Sequence, residues 1–377
     1  MKRLLLIAVT ALQMSVGATL AGSFEDGVSA YGRGDYATAL KVFRSLATQG
    51  SAGAQFNLGL MYHNGEGVVK DYAEAVKWYR LAAEQGIPAA PNNLGNMYFQ
   101  GEGVAQNYIE AIKWYRLGAA GGDTRAQYML GFVHSKGQGV LQDDGEALKW
   151  YRLAAAQSHS RAQFILGAMY EAGQGVTRDY AEAVKWYQMA AAQGDADAQY
   201  YLGMMFSDGR GVARNSTEAV KWYRLAAAQE KADAQYSLGL MFEGGEGVAR
   251  DYKETVTWYR LAATKGHVEA QVDLGWLYYK GLGVAQDFAE AAKWYRQAAA
   301  KGNAKAQFNL GLSYGKGEGV AQDSVRAHMW LNVSAASGNA DATSARDALT
   351  KLLSQKQIAD AQKMARECLQ RDFKGCD

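Results

Sequence analysis

Ser313, Tyr314, Gly315 and Lys316 form a Ser-x-x-Lys string, the spacing that sets a nucleophilic serine beside a lysine in acyl-transfer enzymes. The signal is weak. No Lys-Thr-Gly follows it, and Ser313 stands where equivalent segments of the chain carry Met, Val or Leu. We read it as a chance match and assign no catalytic residue. The five histidines, His63, His134, His159, His267 and His328, fall at scattered places with neither metal-ligand nor triad spacing. They predict no metal site and no cofactor, only lone surface or groove positions. The only two cysteines, Cys368 and Cys376, are close in sequence. In an exported chain that pattern favours a disulfide pinning the tail to the last helix, with two free thiols as the alternative.

Charge excludes another class. Forty Lys and Arg against 38 Asp and Glu, scattered along the chain, give a net charge of +2 and no basic footprint for nucleic acid. The recurring Lys-Trp-Tyr-Arg string, as at Lys77 to Arg80, mixes bases with aromatics. Helical phase separates them, turning Trp78 and Tyr79 inward and Lys77 outward, near Glu74.

These residues are carried by a repeat. Trp78, Trp114, Trp150, Trp186, Trp222, Trp258, Trp294 and Trp330 recur every 36 residues. A Leu-Gly pair, from Leu58-Gly59 to Leu310-Gly311, and a Gly-x-Gly-Val string keep the same period. A period of this size signals a helical array. In the first unit, Ala54, Leu58, Met61 and Tyr62 share one helix face. That helix should stop at Gly65, which takes a left-handed conformation at no steric cost. Val68 should tuck the loop onto the core. Asp71 with Glu74 then predicts a capping box opening a second helix, about Tyr72 to Gln85.

Two apolar stripes line that second helix: Ala75, Trp78, Ala82, and Tyr72, Val76, Tyr79, Ala83. Such a helix must bury two faces, one on its partner and one on the next unit. Ordering 36 residues costs about 1–2 kcal/mol each, and one helix pair leaves half its aromatic surface wet. Stacked neighbours cover that surface, so stability grows with repeat number. The indole-bearing flanks are expected to be what adjacent copies cover.

Ala-Gln-x-x-Leu-Gly-x-x-Tyr, Gly-x-Gly-Val-x-x-Asp and Ala-x-x-Trp-Tyr-x-x-Ala-Ala-x-x-Gly together resemble the Sel-1-like repeat, a tetratricopeptide-like helix–turn–helix. The resemblance covers about residues 51–338 in eight copies. It implies an all-α fold, a right-handed α-solenoid, used as a protein-interaction scaffold or adaptor. It also implies that the first helix of each pair lines a concave groove. Some secreted bacterial members are described as β-lactamase-like or penicillin-binding.

The ends read differently. Lys2 and Arg3, an apolar run from Leu4 to Leu12, and small residues around Ala21 predict a cleaved export signal over 1–21. That places the mature chain in the periplasm or outside the cell, without stable membrane insertion. Residues 22–50 read as an N-terminal capping pair, with Phe43 in the place of the usual Trp. Residues 339–377 read as C-terminal capping helices. In the last of these Ser354 and Gln357 form a capping box, and Ile358, Ala361, Ala365, Cys368 and Leu369 form one buried stripe. Pro88 and Pro91 should delay the helix of the second repeat to near Pro91, leaving Asn92, Asn93 and Asn96 as a polar patch. Ser158 and Glu230 replace a terminal glycine, so the helix before Glu230 should run on or turn differently.

The groove-facing columns start at Phe56, Leu60, His63 and Asn64. Their identities vary between copies, as they should where packing does not dictate them. Binding candidates are Trp276, Tyr279, Phe132, Phe99, Asn96, Asn92, Tyr128 and His63. Trp276, off the tryptophan period, and Tyr279 on the same face stand out, because large aromatics are favoured anchors. The Phe56 column has a competing role in packing successive repeats together. The expected function is a non-catalytic scaffold of the bacterial periplasm or envelope, holding a protein or peptide partner. A β-lactamase-like or peptidoglycan-fragment-binding protein, and a periplasmic regulator of a membrane sensor, are the rivals.

Overall fold

The computed structural model describes residues 22–376; the export segment expected over 1–21 lies outside the described residues. Twenty helices and no strand occupy those residues. A capping pair, α1 (Phe24–Gly32) and α2 (Tyr36–Thr48), comes first. Four repeats follow: α3 (Ala52–Asn64) with α4 (Tyr72–Glu84), α5 (Ala89–Gln100) with α6 (Tyr108–Ala120), α7 (Thr124–Lys136) with α8 (Asp144–Ala156), and α9 (Ser160–Ala172) with α10 (Tyr180–Ala192). The next four pair α11 (Ala196–Asp208) with α12 (Ser216–Ala228), α13 (Ala232–Gly244) with α14 (Tyr252–Thr264), α15 (Val268–Lys280) with α16 (Phe288–Ala299), and α17 (Ala304–Lys316) with α18 (Ser324–Ala336). Helices α19 (Ala340–Thr350) and α20 (Gln355–Gln370) end the chain. No helix among the described residues is long and apolar enough to cross a membrane.

The fold is an all-α solenoid of helix pairs, divided into two compact units, Met1–Ala190 and Ala191–Asp377. In the first unit successive helices pack on one another from α1 to α9. In the second they do so from α11 to α18, and α19 and α20 both close on α18.

The turn within each repeat uses its two glycines for different purposes. Gly65 ends α3 at φ +77°, its N–H donating to the Met61 carbonyl. Gly67 is also left-handed, and a Cβ there would lie 2.7 Å from the carbonyl oxygen of Tyr36, at the start of the preceding second helix. The loop therefore rests on the copy before it. The valine after the second glycine, as at Val104, Val140 and Val320, packs half-buried on the core.

Asp71 caps α4 as expected, accepting from the amides of Ala73 and Glu74, and Asn107 and Asn215 do the same for α6 and α12. The other half of the predicted box is absent. Glu74 does not return to the cap amide; it accepts from Lys77 Nζ at 3.2 Å and Trp78 Nε1 at 3.0 Å. An ammonium and an indole one turn away on the same face compete for it.

The dominant buried aromatic is the tyrosine next to each tryptophan. Tyr79, Tyr115, Tyr151, Tyr187 and Tyr259 are essentially inaccessible, whereas Trp78, Trp114, Trp150, Trp186, Trp222 and Trp258 are only half-buried. The Leu-Gly pair explains the difference, because each tyrosine ring lies on the glycine: a Cβ on Gly131 would come 2.7 Å from the Tyr151 ring. Phe43 plays this tyrosine's part in the capping pair rather than the tryptophan's. It is fully buried, and its ring lies on Gly27. Only Trp294 and Trp330 are buried outright. Trp330 sits on α18, where α19 and α20 add cover.

A glutamine ladder, unforeseen in the sequence, joins successive copies. Gln55 is buried, donates to the Ala47 carbonyl of the preceding pair at 3.2 Å, and accepts from Gln85 at 2.7 Å. Gln127 with Gln157, and Gln199 with Gln229, repeat the arrangement. In the second repeat both partners change together, to Pro91 and Gly121. Helix α5 there starts at Ala89, with Pro88 as its N-cap, not near Pro91. The first helical turn accepts proline because its amides have no intrahelical acceptor.

Two further expectations fail. Ser158 and Glu230 adopt φ of +63° and +64° despite carrying side chains, and α12 stops at Ala228. The turn geometry is imposed by both neighbouring helices, which outweighs a cost of about 1–2 kcal/mol for a left-handed residue. In α20 the capping box of Ser354 and Gln357 is complete and Ala361, Ala365 and Cys368 are buried. Leu369 points outward, however, 41% exposed. Cys368 and Cys376 are joined, with Cα atoms 5.1 Å apart.

Candidate functional site

The variable columns of the first helices divide into buried and accessible positions. In the first unit Phe56 is buried on the Tyr79 ring, 5.8 Å between centroids. Tyr128 lies against Tyr151 and stacks on His159 of the next copy at 4.8 Å. This column packs repeats together. Asn92 belongs to it and is 3% exposed, so neither it nor Phe56 is available to a partner.

Asn93 and Asn96 are half-buried, and Asn96 accepts from the Tyr115 hydroxyl at 2.8 Å. The expected polar patch is thus largely spent on internal bonds. Phe99 and Phe132 do meet, with centroids 6.1 Å apart, and Phe99 also contacts Tyr108 at 5.1 Å. His63 lies edge-on to Tyr72, its Nε2 3.6 Å from Glu102. The structure therefore gathers Phe99, Phe132 and Tyr108 into one half-buried aromatic patch and sets His63 beside an acid.

In the second unit Trp276 packs half-buried on the cluster that includes Leu277 and Trp294. Tyr279, on the same helix α15, meets the Phe288 ring edge-on at 5.3 Å. Two lysines stand over Tyr279, Lys280 at 5.4 Å and Lys316 at 5.8 Å from its centroid. Lys316 also donates to the Tyr279 hydroxyl at 3.3 Å. A cation over a ring face adds attraction beyond area, so this surface combines aromatic and positive character.

The two ends of the Ser-x-x-Lys string face different surroundings. Ser313 is 4% exposed inside α17, while the Lys316 amine turns to Tyr279 and to Glu318, 3.6 Å away.

Polar residues of the His63 column take a role that sequence did not foretell. Glu171 accepts from the Tyr187 hydroxyl at 2.7 Å and Glu243 from that of Tyr259 at 2.5 Å. Burial and the adjoining carboxylate push the Tyr259 phenol far above its ordinary range. Burial, the largest cause, pushes that of Tyr151 up to about 12. These phenols are neutral donors whose tips reach the first-helix face. The signal was present, since acids recur at that column in two copies, but only the packing shows what they hold.

Four of the five histidines are structural, not lone surface groups. His159 and His267 are N-caps whose Nδ1 accepts from the amides of Ala162 and Ala270, each at 3.2 Å. His134 and His328 are buried, and His328 Nε2 pairs with the Thr350 hydroxyl at 2.9 Å.

Comparison with known proteins bears on what such a surface serves. A family model of the Sel1 repeat matches eight consecutive blocks, 52–87, 88–123, 124–159, 160–195, 196–231, 232–267, 268–303 and 304–339. A crystal structure of a protective antigen of uropathogenic Escherichia coli displaying an SLR fold is 33% identical, over 94% of this chain and 84% of that one, with a TM-score of 0.57. A Sel1 repeat protein from Oxalobacter formigenes is 37% identical, over 64% of this chain and all of the other, with a TM-score of 0.60. No curated protein matches the chain.

Proposed function

Since the chain belongs to the Sel1-repeat family, whose members are generally protein-interaction scaffolds, we propose that it is a non-catalytic adaptor of the bacterial periplasm or cell envelope. It takes a protein segment or peptide on the accessible face of its first helices. One observation carries this reading. Trp276 and Tyr279 stay partly exposed on α15 at columns whose residues change from copy to copy, while the flanking Leu274 and Gly275 are invariant in type. Packing accounts for the uniform positions and leaves the variable ones to a partner. Phe99, Phe132 and Tyr108 are a second contact area of the same kind.

Export is supported by the basic-then-apolar start of the chain and by the bonded cysteine pair, which suits an oxidising compartment. Fractionation of cells expressing the full chain should recover it from the periplasm, shortened by the predicted leader.

The binding test is capture from cell envelopes by purified protein, followed by titration with the purified captured partner. Trp276→Ala combined with Tyr279→Ala should weaken the reconstituted complex at least about tenfold, as truncation of aromatic anchors does. Unchanged affinity would remove this face as the docking surface.

A further inference from the structure

The column of Trp276 holds two aromatics, Phe132 and Trp276. Each is followed four residues on, one turn along the same helix face, by a lysine, Lys136 and Lys280. Leu312 is followed in the same way by Lys316. In the other five copies the later position is Asn64, Gln100, Ala172, Asp208 or Gly244. A lysine at a helix C-terminus is favoured by the helix dipole. All eight first helices share that dipole, however, and α11 ends on Asp208, the unfavoured sign. Helix stability therefore does not account for where the lysines fall.

Lys136 and Lys280 are exposed, and among the described residues neither is in an ion pair. In the second unit Lys280 stands over the Tyr279 ring, 5.4 Å from its centroid. Lys316 reaches the same ring from α17, at 5.8 Å, and has Glu318 as its carboxylate, 3.6 Å away. Nearby acids are engaged elsewhere. Asp273 accepts from the Tyr236 hydroxyl at 2.8 Å and lies 3.6 Å from Lys305, and Glu243 accepts from Tyr259. The Tyr279 area thus sets two ammonium groups against one carboxylate. In the first unit Lys136 brings an unmatched positive charge to the patch where Phe132 meets Phe99.

We infer that the segment taken by these faces is acidic, a peptide stretch in which Asp or Glu side chains adjoin apolar ones. The inference rests on the scaffold reading above and names the chemistry of its partner. Phe132, Trp276 and Tyr279 offer ring surface to apolar side chains, and the lysines one turn away take the carboxylates. A carboxylate placed beside Tyr279 can accept from both Lys280 and Lys316, and bonds to a charged donor are the stronger kind. At an exposed rim such charges select the partner and speed its arrival more than they add affinity. The whole chain carries a net charge of only +2, so the selectivity for acids is local to these lysines.

Selection of a phage-displayed library of random short peptides on the full mature protein tests it, with affinities of the enriched peptides read by fluorescence anisotropy. Loss of binding to Trp276→Ala with Tyr279→Ala, or to Phe132→Ala, assigns each peptide to one of the two areas. Assigned peptides should carry Asp or Glu beside apolar residues in excess of the unselected library. Lys280→Gln with Lys316→Gln should weaken those of the first area at least about fivefold and flatten their loss of affinity with salt. Lys136→Gln should act in the same direction on those of the second. Lys221→Gln with Lys253→Gln, a charge change of the same size on second helices, should leave both groups unaltered. Assigned peptides with no excess of acids, or undiminished by the first-helix lysine changes, would overturn the acidic partner and leave the scaffold reading standing. Enrichment of no peptide, or only of peptides indifferent to both aromatic changes, would bring down the groove reading and this inference with it.

Discussion

The ring of Tyr79 lies so close over Gly59 that a Cβ on the glycine would sit 2.7 Å from the ring's Cδ1. That contact closes α3 on α4, and six later copies repeat it, from Gly95 under Tyr115 to Gly275 under Tyr295. In the last repeat the ring is replaced by Leu331, whose Cγ would stand 3.1 Å from a Cβ on Gly311. Only a residue without a Cβ leaves room for a ring laid on the backbone at that separation, which is why the Leu-Gly pair and the tyrosine keep the same period.

Gly59→Ala should therefore destabilise the protein even though alanine is the better helix former by about 1 kcal/mol. Overpacking costs about 1–3 kcal/mol, leaving a net loss of about 1 kcal/mol in urea unfolding. Gly315→Ala is the contrast, since its nearest neighbour would be the Ala327 Cβ at 3.7 Å. There the helix preference should show as a small gain. Equal effects at the two sites would refute the tight-contact account.

Glu230 sits at φ +64°, where six of the eight copies, Gly194 and Gly266 among them, place glycine. Its one visible compensation is an exposed ion pair with Lys265 at 2.8 Å, and such pairs are worth about 0–1 kcal/mol. Glu230→Gly should raise the thermal midpoint, gaining up to about 1 kcal/mol once the greater freedom of glycine in the unfolded chain is counted. A lower midpoint would show that the ion pair outweighs the backbone cost.

Acidification should loosen the repeats through His159. Burial lowers its pKa below the ordinary 6.5, and its Nδ1 must stay unprotonated to accept from Ala162. A group depressed on folding stabilises fully above its unfolded pKa and loses that contribution as pH falls through the folded one. His328, lowered chiefly by burial and then by the Arg346 charge, acts with the same sign. Unfolding midpoints should decline as pH is taken below about 6.5, and His159→Asn, which keeps a capping oxygen, should flatten the decline. A slope unchanged by that substitution would count against this origin.

Cys376→Ser should free the tail from the end of the array. Phe373, three residues earlier, packs where a Cβ on Gly302 would meet its ring at 2.9 Å, and its amide donates to the Cys368 carbonyl. Closing so short a loop contributes about 2–3 kcal/mol at most. Limited proteolysis should cut after Lys374 faster in the variant or under reductant, while the core helices stay protected. Identical cleavage rates would mean that packing of Phe373 alone holds the tail.

The periodic residues were enough to specify the helix pairs, their length, the loop glycine at Gly65, the caps at Asp71, Asn107 and Asn215, and the last helix behind Ser354. Each is set within a few residues of chain, by steric freedom, a side-chain acceptor or an apolar face. What sequence could not decide was which of two adjacent aromatics is buried. Trp78 and Tyr79 differ by one helical step, and only the facing Gly59 makes room for a flat ring. Nor could it foresee that Asn92 is buried, that Glu230 yields to the turn, or that Gln55 ties one copy to the next. Those outcomes depend on atoms brought together from separate helices, where the geometry of close approach outweighs the local preferences of the residues themselves.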